Sequence, residues 1–157
     1  MKVLVGVGNY SGYDDSVGLR VIEHISEKGL DTDFRAVDLS ANSLNLFAYL
    51  DPSVEALLIV DSARMGKKPG EFLFFAPGQV ESRKELAGFS THEGDLLKVL
   101  ELARATGAHI PPILFMGIEP ESLKNEMGLS KTLEDRIPEY AAAAIGRLRS
   151  SFEKPQE

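Results

Sequence analysis

Short apolar runs alternate with helical stripes along this chain, and that alternation constrains its fold more than any other feature. Lys2–Val7, Asp33–Asp38, Ala56–Asp61 and Pro112–Ile118 read as strands. The first and third are almost unbroken apolar runs, the pattern of strands buried on both faces of a parallel sheet. Helical patterns lie between them. Asp15–Lys28 puts Val17, Val21, Ile22 and Ile25 on one stripe, and Gly29 is a stop. Asn42–Leu50 reads as a short helix with Leu44 and Phe47 inward. Thr91-His92-Glu93 opens a helix that runs through Ala105, with Ser90 and Glu93 at capping-box spacing and Leu96, Leu97, Leu100 and Leu102 as its apolar face. Pro138 suits a first helical position, and Ile137, Ala141, Ala144, Ile145 and Leu148 line a final helix. Strands alternating with helices argue for an α/β fold.

One apolar run breaks the alternation. Glu71–Ala76 follows the third strand after only Ser62–Gly70. A parallel neighbour needs a crossover of about a dozen residues or more, so this strand is expected to run antiparallel. Pro77–Thr91 reads as irregular, and the polar tail after Phe152 as frayed. The expected architecture is a single domain over residues 1–157, with helices on both faces of a mixed, mostly parallel five-stranded sheet that has one antiparallel strand.

Composition closes off several classes of function. There is no cysteine, which excludes a disulfide framework, a thiolate metal site and a cysteine nucleophile. The net charge is −7, which argues against a general nucleic-acid binder, and the short run Lys67-Lys68 reads as solvated loop charge. Nothing in the sequence is apolar for long enough to span a bilayer, and Met1–Gly6 leads straight into a strand rather than a secretion signal. A cytoplasmic location is expected. Neither a G-x-S-x-G elbow nor an H-E-x-x-H helix is present.

Three side chains could carry chemistry. The turn after the first strand, Gly6-Val7-Gly8-Asn9-Tyr10-Ser11-Gly12, leads into Asp14 and Asp15. Its spacing is not that of dinucleotide binders, and two carboxylates at a helix start would repel a phosphate. Both aspartates could simply cap the helix, Asp14 more readily than Asp15. Asp61 ends an otherwise apolar strand, where open α/β sheets border their ligand crevice. It could equally be a turn aspartate bonded to its own backbone. His92, at a helix start, is favoured as the neutral imidazole, the form that binds a metal or accepts a proton, and could equally be a surface histidine near a loop. His24 and His109 read as structural.

The ordered set of motifs resembles that of the hydrogenase maturation endopeptidases. Gly6-Val7-Gly8-Asn9 with Asp14-Asp15 and Gly18 is similar to the family's first motif. Val60-Asp61-Ser62-Ala63 with Gly66 and Pro69-Gly70 is similar to the second, and Ser90-Thr91-His92 leading into Asp95-Leu96-Leu97 to the third. Gly117-Ile118-Glu119-Pro120, Gly128-Leu129-Ser130 and Ile137-Pro138 resemble its C-terminal pattern. Ser16 stands where many members carry glycine, and Asp15 where some carry glutamate.

The resemblance implies a three-layer α/β/α sandwich and an endopeptidase of aspartyl type. It would remove the C-terminal extension of a nickel–iron hydrogenase large-subunit precursor after nickel insertion. Asp15, Asp61 and His92 would be the catalytic and metal-contacting residues, supported by the turn at Gly8 and Asn9. The metal would be a divalent ion, nickel presented by the substrate, with no organic cofactor, and the chain would act as a monomer. Two rival readings remain. One is a nucleotide-binding α/β protein using the Gly6/Gly8/Gly12 turn with Asp38 as ribose partner, and the other is a non-enzymatic nickel chaperone or docking factor.

Overall fold

The computed structural model describes residues 1–40, 42–78, 91–150 and 152, and the side chains of 91–94 lie outside that description. The strands are β1 (Lys2–Val7), β2 (Arg35–Ser40), β3 (Ala56–Ser62), β4 (Phe72–Phe75) and β5 (Ile113–Ile118), in the order β2-β1-β3-β5-β4. β1 is parallel to β2 and β3, and β3 is parallel to β5. β4 alone is antiparallel, pairing with β5 at the sheet edge, as the short Ser62–Gly70 connection requires.

The helices are α1 (Val17–Glu27), α2 (Thr91–Ala105), the single turn α3 (Lys131–Glu134) and α4 (Ile137–Arg149). Alternation along the strands builds two cores. Leu4, Leu58, Val60, Met116 and Ile118 face α1 and α4, where Val17, Val21, Ile25, Tyr140, Ala144 and Leu148 are buried. Val3, Val5, Leu57, Ile59 and Phe115 face α2 and the 3-10 segment Ser43–Tyr49. The sheet thus lies between two helical layers, the sandwich expected from the sequence.

Local chemistry sets the helix ends. A 3-10 turn, Tyr13–Ser16, precedes α1, so the regular helix begins two residues later than the stripe predicts. α1 ends in a Schellman motif: Leu30 N–H donates to Ile25 O (3.0 Å), Gly29 N–H donates to Ser26 O (3.2 Å), and Gly29 takes the left-handed φ of 63°. At the start of α4, Pro138 occupies the first turn.

Three expectations are corrected. Leu44 is 60% exposed, and Leu46 is buried in its place. The segment is a 3-10 helix capped by Asn42, and its tighter turn moves the inward face. In α2, Leu102 is 51% exposed, and the buried set is Leu96, Val99, Leu100 and Ala103, an i, i+3, i+4, i+7 stripe. The second strand begins at Arg35 rather than Asp33, whose carboxylate pairs with Arg149 of α4 (2.7 Å). Of the stretch Pro77–Thr91, expected to be irregular, residues 77–78 and Thr91 are helical; the rest of it, with the expected cap at Ser90, and the tail beyond Phe152 lie outside the described residues.

Glycine lets α1 settle directly on the sheet. A Cβ at Gly18 would lie 2.2 Å from Val60 O and 2.8 Å from Val7 O, and one at Gly6 would lie 2.5 Å from Gly18 O. At Gly18 backbone packs on backbone, and the clashing atoms have no flexible side chain to yield. Alanine for glycine inside an exposed helix ordinarily stabilises by up to about 1 kcal/mol. At Gly18 the sign should reverse: Gly18→Ala is expected to destabilise by at least about 1–3 kcal/mol, the usual cost of overpacking. Urea unfolding checks this, and an unchanged or raised midpoint would contradict it.

Candidate active site

β1 and β3 are parallel neighbours, so their carboxyl ends share one edge of the sheet. Asp61 lies at that edge on β3, opposite Gly117 of β5, and is 1% exposed. Its Oδ1 accepts the N–H of Ser62 (2.8 Å). The Ser62 hydroxyl in turn donates to Oδ1 of Asp15 (3.0 Å), which arrives from the 3-10 turn ahead of α1. One residue therefore holds both carboxylates, with its amide on Asp61 and its hydroxyl on Asp15. The predicted juxtaposition of these two aspartates is present.

The glycine turn aims Asp15. Gly8 has φ 148°, and a Cβ there would lie 2.2 Å from Asp15 O, so both its conformation and its surroundings demand glycine. The N–H of Asp15 donates to Gly12 O (3.0 Å). Asn9 closes the turn: its Oδ1 accepts from the amide (3.0 Å) and hydroxyl (2.9 Å) of Ser11, and its carbonyl accepts Gly12 N–H (3.0 Å). Gly8 and Asn9 thus shape the backbone under Asp15. Ser16 fits without strain at φ −88°, its hydroxyl donating to Tyr13 O (2.7 Å).

Asp14, the other half of the acidic pair, has a different task. It is fully buried, and its carboxylate accepts from Glu121 N–H (2.9 Å), Ser122 N–H (3.1 Å), Ser130 N–H (2.8 Å) and Ser130 Oγ (2.8 Å). Tyr13 N–H donates to Glu126 O (2.8 Å) and Asp14 N–H to Ser122 O (3.2 Å), so the 121–130 segment is stitched to the turn.

His92 is the second residue of α2, and its side chain lies outside the described residues. Among the described side chains, no group of three histidines and carboxylates could hold a metal ion; the set expected from the sequence includes His92.

Glu119, which the sequence marks only as part of Gly117-Ile118-Glu119-Pro120, organises the neighbouring loop. It is 6% exposed, directly after β5, and its Oε1 accepts the amides of Met65 (2.7 Å) and Lys67 (3.2 Å). Its main chain adds two more bonds: Gly70 N–H donates to Glu119 O (2.8 Å), and Glu119 N–H donates to Glu71 O (2.8 Å). The Gly70 carbonyl accepts from the Tyr140 hydroxyl (2.6 Å) and from Arg136 (2.5 Å), and burial pushes the Tyr140 phenol up to about 12. An acidic residue closing an apolar strand was the available signal, the same one that marks Asp61.

Asp38, the ribose partner of the nucleotide reading, is engaged within the chain. Its Oδ2 accepts the Tyr10 hydroxyl (2.9 Å) and its Oδ1 accepts the amide and hydroxyl of Ser40 (both 2.8 Å). Burial and this bond raise the Tyr10 phenol well above its ordinary value.

Fold and edge define an α/β/α domain with a two-carboxylate site at the carboxyl ends of parallel strands. The comparisons with known proteins agree on the fold. The HycI family of hydrogenase maturation proteases matches residues 19–147, and the chain belongs to that family. It is accordingly an enzyme that hydrolyses peptide bonds. The hydrogenase 2 maturation protease of Escherichia coli K12 is 28% identical over 154 residues, covering 96% of this chain and 93% of its own length. HoxM of Cupriavidus necator, a hydrogenase expression/formation protein, is 27% identical, covering 90% of this chain and 72% of its own. The hydrogenase-maturating endopeptidase HybD of E. coli superposes with a TM-score of 0.77 at 26% identity, covering 95% of this chain and 93% of that one. Asp15 precedes the family match, but the 96% coverage by the E. coli protease leaves too few residues outside to omit it.

The adjacent aspartates should respond unequally to the same substitution. Asp14→Asn sets an amide donor among buried donors and is expected to cost about 1–3 kcal/mol. Asp15→Asn keeps an acceptor for Ser62 on a half-buried side chain and should stay within about 0.5 kcal/mol of wild type. Equilibrium unfolding of the two variants checks this, and equal costs would contradict it.

Proposed function

We propose that this protein removes the C-terminal extension of a nickel–iron hydrogenase large-subunit precursor once nickel has been inserted, and that it recognises the metal held by that substrate. The observation that carries the proposal is the pair Asp15 and Asp61 gathered by Ser62. The names of the relatives support the substrate class: a hydrogenase 2 maturation protease and a hydrogenase-maturating endopeptidase.

Two carboxylates and the imidazole of His92 form a donor set of oxygen and nitrogen that suits a borderline divalent ion such as nickel. In this reading the nickel arrives with the precursor as part of the substrate, and no organic cofactor is involved. The chain's own residues do the rest. Ser62 fixes the direction of both carboxylates, and the buried Asp61 takes a proton from the attacking water as general base. Water adds to the scissile carbonyl, the amide nitrogen leaves protonated, and two peptides result. This gives the enzyme an aspartyl-protease character.

We further propose a monomer acting in the cytoplasm, in keeping with the acidic, cysteine-free sequence. Among the described residues no helix is long and apolar enough to cross a membrane.

Incubation with nickel-loaded and nickel-free precursor, followed by mass measurement, tests the proposal. Wild-type protein should shorten only the nickel-loaded chain. Asp61→Asn should remain folded and lose about 10²–10⁴-fold in rate, the usual contribution of a general base. His92→Gln should lose activity similarly. Full cleavage by folded Asp61→Asn would remove the base assignment. Equal cleavage of both precursors would remove the metal recognition, and binding without cleavage would favour an escort of nickel precursors over an enzyme.

A further inference from the structure

We propose that the loop joining β3 to β4, Ala63–Gly70, docks an acidic segment of the protein substrate through Arg64, Lys67 and Lys68. The proposal rests on the peptidase reading above and names the chemistry of the partner at that same site.

Charge is the first observation. The chain has 24 acidic and 17 basic residues, yet three of the cations fall within 64–68, and no acid occurs between Asp61 and Glu71. All three are exposed. Among the described residues none of them makes an ion pair, whereas Arg20, Lys124, Lys131, Arg136 and Arg149 each do. A positive loop on an acidic protein, with its charges not consumed internally, is matched by a negative partner.

The second observation is that the loop's backbone is fixed while its cations point outward. Glu119 accepts two of its amides through one buried carboxylate oxygen. Lys68 N–H donates to the Glu71 carboxylate (3.3 Å), and Tyr140 and Arg136 both donate to the Gly70 carbonyl. Gly66 and Gly70 take left-handed φ values of 77° and 92° that hold its bends. A connection between an inner strand and an edge strand needs no buried anion to organise it. Fixing the backbone pre-pays the ordering that binding would otherwise require.

Position is the third. The loop leaves β3 directly after Asp61 and Ser62. The sulfur of Met65 comes within 3.1 Å of where a Cβ on Gly117 would be, and Gly117 is the register partner of Asp61. A polypeptide whose scissile bond reaches Asp61 therefore has this loop as its neighbour on the β5 side. Rim charges of this kind act on encounter and on salt dependence more than on the chemical step.

The test compares wild type with Lys67→Glu/Lys68→Glu and with Lys67→Gln/Lys68→Gln, using nickel-loaded precursor at low and high salt. The double reversal should lower kcat/KM by about tenfold or more through KM, with kcat at saturating precursor unchanged and the salt dependence abolished or inverted. The neutral pair should fall between. Placed in an Asp61→Asn background, the same changes should weaken the Kd for intact precursor in parallel. Wild-type kcat/KM, Kd and salt dependence in the reversed variant would overturn the proposal. If wild type fails to cleave at all, the peptidase reading fails on its own, and the Kd series still decides whether this loop docks the precursor.

Discussion

Backbone contact between α1 and the sheet sets the geometry of the whole carboxyl edge. With hydrogen alone at Gly18, the helix rests on the carbonyls of Val7 and Val60, and Gly6 and Gly8 allow the chain leaving β1 to turn back beneath it. That approach brings Asp15, in the 3-10 turn ahead of the helix, within reach of the hydroxyl that ends β3, so that Ser62 can hold Asp15 and Asp61 together. A side chain at Gly18 would lift the helix, and the two carboxylates would part with no change in either of them.

Three other groups keep that edge in shape, each through main-chain amides. Asp14 gathers the 121–130 segment against the glycine turn. Glu119 gathers the loop that follows β3. Asn9 closes the turn between β1 and α1. A buried carboxylate is costly unless hydrogen bonds replace the lost water, and Asp14 accepts four such bonds. Acidic residues are thus frequent at this edge for two separable reasons. Asp14 and Glu119 are frame, whereas Asp15 and Asp61 face one another across Ser62.

Much of this was legible in the sequence where the signal is local. A nine-residue connection fixed the direction of β4, and strand neighbours put Asp15 and Asp61 on one edge. Inward faces were less legible where helical geometry departs from the regular α form: Leu44 turned outward because its segment is 3-10. Leu102 was misplaced because a run of leucines carries no phase of its own, and Val99 and Ala103 complete the buried stripe instead. The role of Glu119 could not be read, since its partners are backbone amides more than fifty residues earlier, and an amide leaves no mark on side-chain pattern. Asp14 was separable from Asp15 only in tendency, because the amides it gathers lie more than a hundred residues later in the chain.

The proposed place where the substrate's metal is recognised is bounded by Asp15 and Asp61, held by Ser62, together with His92. Anomalous diffraction from crystals soaked in cadmium, a spectroscopically silent surrogate for the substrate's ion, tests it most directly. One dominant anomalous peak is expected, bounded by the carboxylates of Asp15 and Asp61 and the imidazole of His92, and lost in Asp61→Asn and in His92→Gln crystals. A dominant peak elsewhere, or a peak at this edge that survives both substitutions, would contradict it.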